Sequence, residues 1–234
     1  MREGTRGLRE GTDGVLVRET GSEMAAKSKY NIASSGHQGD VFSRRQALSG
    51  GYAASAIDAR VRRGTWRALY PGVYTSAANQ LDERGLLWAA VLYAGRGAML
   101  SHQTAAWLHG FCDKPADVIH VTIPVDRRVR EPEGLRVHRS ARVIPAATPE
   151  EDPPRAQVEE TVLDLVNESA SAADADAWVT RAIEAGVTDR EKLLVAAGTW
   201  KKLRWRAALG GAARSRSLLP LAVIPTRWCL AACW

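Results

Sequence analysis

At 234 residues, with 45% hydrophobic and 25% charged residues, the chain is long enough for one or two domains with hydrophobic cores. Its net charge of +6 and its pI of about 9.5 permit a polyanionic partner. No apolar run reaches the roughly 18 residues that span a bilayer, the N-terminus lacks the apolar core of a signal peptide, and three cysteines do not make a disulfide framework. We expect a cytoplasmic protein with no membrane partner.

Residues 1–38 open the chain, and residues 1–23 are Gly-, Arg- and Glu-rich without hydrophobic periodicity. Such a composition predicts a disordered or weakly ordered arm. Residues 27–39 are weakly patterned and are expected to contain a short first helix of the next domain. A second methionine, Met24, precedes a more ordinary sequence, so the first segment is either an over-extended reading frame or a flexible arm that touches DNA.

Residues 39–78 carry the clearest local pattern, which predicts a winged helix-turn-helix domain. Ser43 is a good N-cap for a helix over 44–49, and Gly50-Gly51 supplies a turn. A second helix follows over 54–63, and Ile57 and Val61 share its inward face. The sequence TWRAL-YPG-VYT then reads as strand, turn and strand. In a winged helix the second helix enters the major groove and the hairpin rests on the DNA backbone.

The charge of this segment favours the same interpretation. Residues 40–75 hold six arginines against two aspartates, a net charge of +4. Guanidinium groups suit both phosphates and guanine edges. The alternative is a solvated basic hairpin that binds nothing, or one that contacts only protein. We predict that double-stranded DNA is bound by residues on the outward faces of the two helices and on the wing: Arg44, Arg45, Ser55, Arg62, Arg63 and Arg67.

The segment VFSRRQAL, followed by SAIDARVRRGTWRALYPGVYT, resembles the N-terminal domain of AbiEi-type antitoxins of type IV toxin–antitoxin systems. The phrases GRGAMLSHQTAAWLHG, VIHVTIP, LRVHRSAR and PPRAQVEETVLDLV extend the resemblance over about 40–213. It implies a DNA-binding transcriptional regulator. Many long members of that family end in a nuclease-like domain, and the sequence contains no segment that matches one.

Residues 79–213 are expected to form a mixed domain with a small antiparallel sheet and several helices, so that the fold class is α+β. Strand 135–141 is expected to pair with strand 118–124 across the basic loop VDRRVREPEG, which is either a solvated edge or a second phosphate contact. The stretch from Trp200 to Arg206 interleaves aromatic and basic residues and is expected to form a final helix with its tryptophans in the core. The alternative is that it stacks on or grips a nucleic-acid strand. Helices are predicted over 81–94, 101–110, 157–167, 173–185 and 189–197, and strands over 98–100, 118–124 and 135–141.

The histidines do not predict a metal site. His102 and His109 lie seven residues apart rather than the usual four, and no carboxylate or cysteine completes a ligand set. We expect one of these two to be buried and hydrogen-bonded and the other to cap or line a groove. His120 and His138 could face each other across the sheet as an ordinary polar pair. No catalytic residue, metal or cofactor is predicted.

Residues 214–234 change character, with two prolines, two tryptophans, two cysteines and no acidic residue. They are either a frameshifted or pseudogene tail or a genuine apolar tail. The predicted function is that of a non-enzymatic, operator-binding regulator of the antitoxin type. The alternatives are a protein-interaction antitoxin that neutralises a cognate toxin without reading DNA, and a remnant of a nuclease-like protein. The oligomeric state does not follow from the sequence.

Overall fold

The computed structural model describes residues 38–76, 81–141 and 152–210. The predictions for the arm up to residue 37 and for the tail from residue 214 lie outside these ranges. The described chain is an α+β structure with two three-stranded sheets. Its elements are β1 (Val41–Ser43), α1 (Arg44–Ser49), α2 (Ala54–Arg62), β2 (Arg67–Tyr70), β3 (Val73–Thr75), α3 (Glu83–Ala94), β4 (Met99–Leu100), α4 (His102–Leu108), β5 (Ile119–Pro124), β6 (Leu135–Ser140), α5 (Val158–Glu168), α6 (Ala172–Glu184), α7 (Arg190–Ala197) and a 3₁₀ helix (Arg206–Gly210).

The first sheet has the strand order β1-β3-β2 and both of its pairs are antiparallel. The predicted helix, turn, helix and hairpin are present in that order. Ser43 caps α1 in a capping box with Gln46, since each side chain accepts from the backbone N–H of the other. Strand β1 was not predicted, because three residues give too short a stretch for a period-two pattern to show.

A small aromatic core holds this first unit together. Phe42, Trp66 and Tyr74 pack with their ring centroids between 4.6 and 6.2 Å apart, and Ile57 of α2 is fully buried against them. Val61 is only partly buried. The inward face predicted for α2 is therefore correct, with Ile57 as its centre.

Helix α3 packs against both sheets. Its fully buried Ala89 contacts Val41 and Val73 of the first sheet. Leu87 and Val91 pack into the core beneath β4, β5 and β6. Leu86, which was predicted to face inward, is 46% exposed. The inward stripe of α3 is thus narrower than the sequence pattern indicated.

The second sheet corrects one prediction. Strands β4 and β5 are antiparallel, but β5 and β6 are parallel over six residue pairs, from Ile119↔Leu135 to Pro124↔Ser140. The ten-residue connection 125–134 replaces the expected hairpin. Ten extended residues reach roughly 33 Å, and a six-residue strand spans about 20 Å, so the connection can return to the start of β5 without a helix.

The remaining helices enclose a separate apolar core. Val162, Leu163 and Val166 of α5 are fully buried there, together with Val179 of α6 and Leu193 of α7. Trp200 is buried and Trp205 packs on the same core, as predicted. In place of the expected final helix there is only the short 3₁₀ segment Arg206–Gly210. No helix in the described ranges combines the length and apolarity that crossing a membrane requires.

Candidate functional site

The residues predicted to bind DNA are exposed or partly exposed in the first unit. Ser55 and Arg62 lie on the exposed face of α2, opposite the buried Ile57. Arg63 is the C-cap of α2 and is also exposed. Four of the predicted arginines have guanidinium groups that make no hydrogen bond or ion pair within the described residues: Arg45, Arg62, Arg63 and Arg67.

Arg44 is positioned differently from these arginines. Its Nη1 lies 2.7 Å from Oδ1 of Asp58 on α2 and 3.3 Å from the hydroxyl oxygen of Tyr74. The hydrogen bond to Asp58 raises the pKa of Arg44 above its ordinary value and lowers the pKa of Asp58. Arg44 therefore ties α1 to α2 and has less freedom to reach a phosphate.

Arg60 also turns inward, although it was counted in the basic segment. Its guanidinium lies 4.8 Å from the ring centroid of Tyr52 and 5.5 Å from that of Trp66. This cation–π arrangement covers the aromatic core.

A second candidate site lies at the junction of the second sheet and the helices. It is a histidine cluster made of His102 at the start of α4, His120 on β5 and His138 on β6, with Glu168 at the end of α5. The rings of His102 and His138 stack with centroids 3.6 Å apart, and His120 Nδ1 lies 3.0 Å from His138 Nε2. The predicted proximity of His120 and His138 is confirmed.

Glu168 joins two members of the histidine cluster. Its Oε1 lies 3.3 Å from His102 Nε2 and 3.1 Å from His138 Nδ1. These two contacts hold the pKa of Glu168 well below its usual range. Burial, with a smaller effect from the two neighbouring imidazoles, lowers the pKa of His120 to about 4. The carboxyl group is therefore ionised and His120 is neutral at neutral pH.

The hydroxyl groups of Ser101 and Thr122 form a hydrogen-bonded chain with the His102 imidazole. Its Nδ1 lies 3.0 Å from Ser101 Oγ, and the hydroxyl of Thr122 donates to the same oxygen over 2.8 Å. Ser101 stands at the N-cap position of α4, but its side chain makes no capping hydrogen bond. A serine before a helix predicts a capping side chain, but the Ser101 hydroxyl contacts the imidazole instead.

Ser101, His102 and Glu168 form a line of hydrogen bonds like that of a hydrolase triad. Ser101 is fully buried, however, and its oxygen is already occupied by Thr122 and His102. A nucleophile must reach the atom that it attacks. This serine therefore supports the imidazole and is not placed to attack a substrate.

The backbone of His102 is unusual. Its φ is +51°, in the left-handed region, where non-glycine residues are uncommon. Its side chain is only 6% exposed. This conformation and the support from Ser101 fix the direction in which the imidazole points.

The histidine cluster opens into a cavity of about 520 Å³. Its inner wall includes His102, Thr122 and His138. The exposed side chains of Arg139, Lys201 and Lys202 lie on the outer part of the lining. A volume of this size is typical of a small-molecule site.

His109 does not belong to the histidine cluster. Its Nε2 lies 2.8 Å from the backbone oxygen of Ala156, so this histidine fastens α4 to the segment before α5. The expectation that one of His102 and His109 is buried and hydrogen-bonded is confirmed for His102. Sequence reasoning missed the grouping of three histidines because it compared them in pairs. The available signal was the serine–histidine pair at a helix start beside two strands that each carry a histidine.

Comparisons with known proteins leave the family of this chain open. No protein-family model matches the sequence, and no curated protein matches it. A solved structure of the RV2827C protein from Mycobacterium tuberculosis is similar over 75% of this chain and 71% of that one, with 16% sequence identity and a TM-score of 0.46.

Proposed function

We propose that the protein is a transcriptional regulator that binds double-stranded operator DNA through residues 38–76, acting as a winged helix-turn-helix. The observation that carries the proposal is the set of exposed arginines on and beside α2 and on β2 that make no hydrogen bond or ion pair with the described residues. An arginine that has no partner within the fold is available to neutralise a phosphate, and counterion release favours that contact.

Helix α2 has the arrangement that base readout requires. Its buried side, centred on Ile57, is attached to the aromatic core, and its opposite side carries Ser55 and Arg62. Serine and arginine side chains both recognise base edges in the major groove. We assign direct readout to this face of α2.

The hairpin β2–β3 is the proposed wing. Arg67 begins β2 and pairs in register with Thr75 of β3, which is fully buried, while Arg67 itself is exposed. A contact from this strand to the phosphate backbone adds affinity without sequence preference. Arg44 is expected to contribute less, because Asp58 already holds it.

The proposal is tested by footprinting on DNA upstream of the protein's own gene, followed by titrations at several salt concentrations. Arg62→Ala should weaken specific binding by about 1–3 kcal/mol and relax specificity. Arg67→Ala should weaken specific and scrambled DNA equally and lower the salt slope by about one unit. Arg181→Ala, which removes an exposed arginine from α6, is the matched control and should change neither.

A variant with Arg44, Arg45, Arg62 and Arg67 all changed to alanine provides the decisive comparison. If it binds DNA as tightly as the unmodified protein at about 150 mM salt, these residues do not read DNA, and the protein-interaction alternative replaces the proposal. We also expect no Mg²⁺-dependent cleavage of plasmid DNA. Nicking that a carboxylate substitution abolishes would show that the protein is an enzyme.

A further inference from the structure

The histidine cluster has the composition of a metal site. His102, His120 and His138 can each direct one ring nitrogen so that the three atoms lie within 4.8 Å of one another. The carboxylate of Glu168 contacts two of the rings. We propose that the three histidines bind one divalent transition-metal ion of the zinc class, with Glu168 as the hydrogen-bond partner of His138 Nδ1. The proposal replaces the sequence-based expectation of no metal, and it is independent of the proposed DNA binding.

The donor atoms select the class of metal. Three imidazoles suit Zn²⁺ and its neighbours in the first transition series, whereas Mg²⁺ and Ca²⁺ prefer all-oxygen sites. Three histidines with one further ligand also match the number of donors in a four-coordinate zinc site.

The nitrogen atoms of two of the three imidazoles are already close to the spacing of a metal site. With zinc–nitrogen bonds of roughly 2.0–2.1 Å, the nitrogens of a tetrahedral site lie roughly 3.4 Å apart. His120 Nδ1 and His138 Nε2 are already 3.0 Å apart. The stacked His102 ring must turn so that its lone pair, rather than its face, points at the ion.

The hydroxyl groups of Ser101 and Thr122 also favour metal binding by His102. A metal-bound imidazole needs a partner for its other N–H, and such partners hold the ring in position. Ser101 provides one, because its oxygen can accept from His102 Nδ1–H as well as from the Thr122 hydroxyl. This pair of hydroxyl groups serves either tautomer of His102.

The surroundings allow an ion to enter. The side chains of Glu168 and His138 are 51% and 17% exposed, and both line the cavity. Arg139, Lys201 and Lys202 oppose a cation, but they are exposed and therefore screened by salt. Glu168 supplies a negative charge in direct contact with the imidazoles.

The experiment uses the full chain, without a histidine tag, after dialysis against a chelator. Zinc uptake is measured by competition with a chromophoric chelator, and we expect one equivalent to bind at micromolar free zinc. The melting temperature should rise by about 5–10 °C when free zinc exceeds the dissociation constant 100-fold. Co²⁺ should give the visible absorption of a four-coordinate nitrogen and oxygen site, without thiolate charge-transfer bands.

Three variants locate the site, and circular dichroism checks that each one folds. His138→Ala should lose stoichiometric zinc binding, and Ser101→Ala should weaken it about 10–100-fold. His109→Ala is the matched control and should bind zinc like the unmodified protein, because His109 lies outside the cluster, where its Nε2 contacts the backbone oxygen of Ala156.

Two results would overturn the proposal. One is the absence of stoichiometric zinc binding by the unmodified protein. The other is a cobalt spectrum dominated by thiolate bands, which would place the ion on cysteine. The cobalt measurement needs no variant, so it remains decisive if His138→Ala does not fold.

Discussion

The first unit (residues 38–76) and the rest of the described chain (residues 81–141 and 152–210) differ in how far apart their contacting residues lie in sequence. In the first unit, Arg44 reaches Asp58 and Tyr74, and the aromatic core spans Phe42 to Tyr74. In the histidine cluster, Glu168 contacts His102, a residue 66 positions earlier. Local patterns therefore describe the first unit well and the cluster poorly.

The two regions also differ in the chemistry and exposure of their candidate functional residues. The first unit presents exposed guanidiniums on a surface, and composition alone reveals such a charge excess. The histidine cluster is largely enclosed, with His102 only 4% exposed. Such a site forms only where several elements pack together, so the sequence of one segment does not predict it.

The largest expected effect is that of Ile57→Asp, which breaks the first unit. The substitution places an uncompensated charge at a fully buried position and should destabilise the unit by more than about 5 kcal/mol. DNA binding should be lost, and near-ultraviolet circular dichroism should show the loss of aromatic packing. Ala53→Asp adds the same charge at an exposed position and is the control. Native-like aromatic signals in Ile57→Asp would mean that Ile57 is not the centre of this core.

A smaller effect is expected from Leu163→Ala in the helical core. Leu163 is fully buried, and its truncation should cost about 2–5 kcal/mol in the free energy of unfolding. Urea denaturation measures the loss.

Because α3 packs on both sheets, the first unit and the rest should unfold in one transition. Two separate transitions would show that the two regions are independent.

The smallest effect is a gain in stability from Ala53→Asp itself. Ala53 is the N-cap of α2, has extended backbone geometry and makes no side-chain capping bond. An aspartate there can accept from the first turn of α2 and should add about 0.5–2 kcal/mol. Denaturant titration of the variant checks the sign, and Ala53→Val provides a comparison without a capping group. Equal stability of the two variants would contradict a capping gain.

Sequence reasoning found most helices because capping residues and apolar spacing are local properties. Ser43, Asp189 and the apolar face of α5 were all assigned correctly. It placed β5 and β6 but gave them the wrong relative direction. Alternation of side chains is the same in parallel and antiparallel strands, so the pattern cannot decide between them.

The candidate site was predictable only in part. The exposure of Ser55 and Arg62 followed from the position of Ile57 on α2. The attachment of Arg44 to Asp58 was missed, since it depends on the angle between two helices. The approach of His102 to His138 depends on the unusual backbone of His102, and composition gives no sign of such a conformation.

The packing of α3 on both sheets limits how the proposed DNA-binding unit could be transplanted. A fragment cut after residue 76 would leave Val41 and Val73 without the covering that Ala89 gives them. It would also separate Tyr70 from Tyr93, whose rings stack 5.0 Å apart. The smallest portable unit therefore extends to Ala94, and any protein built by fusing it to a new partner must carry this helix along.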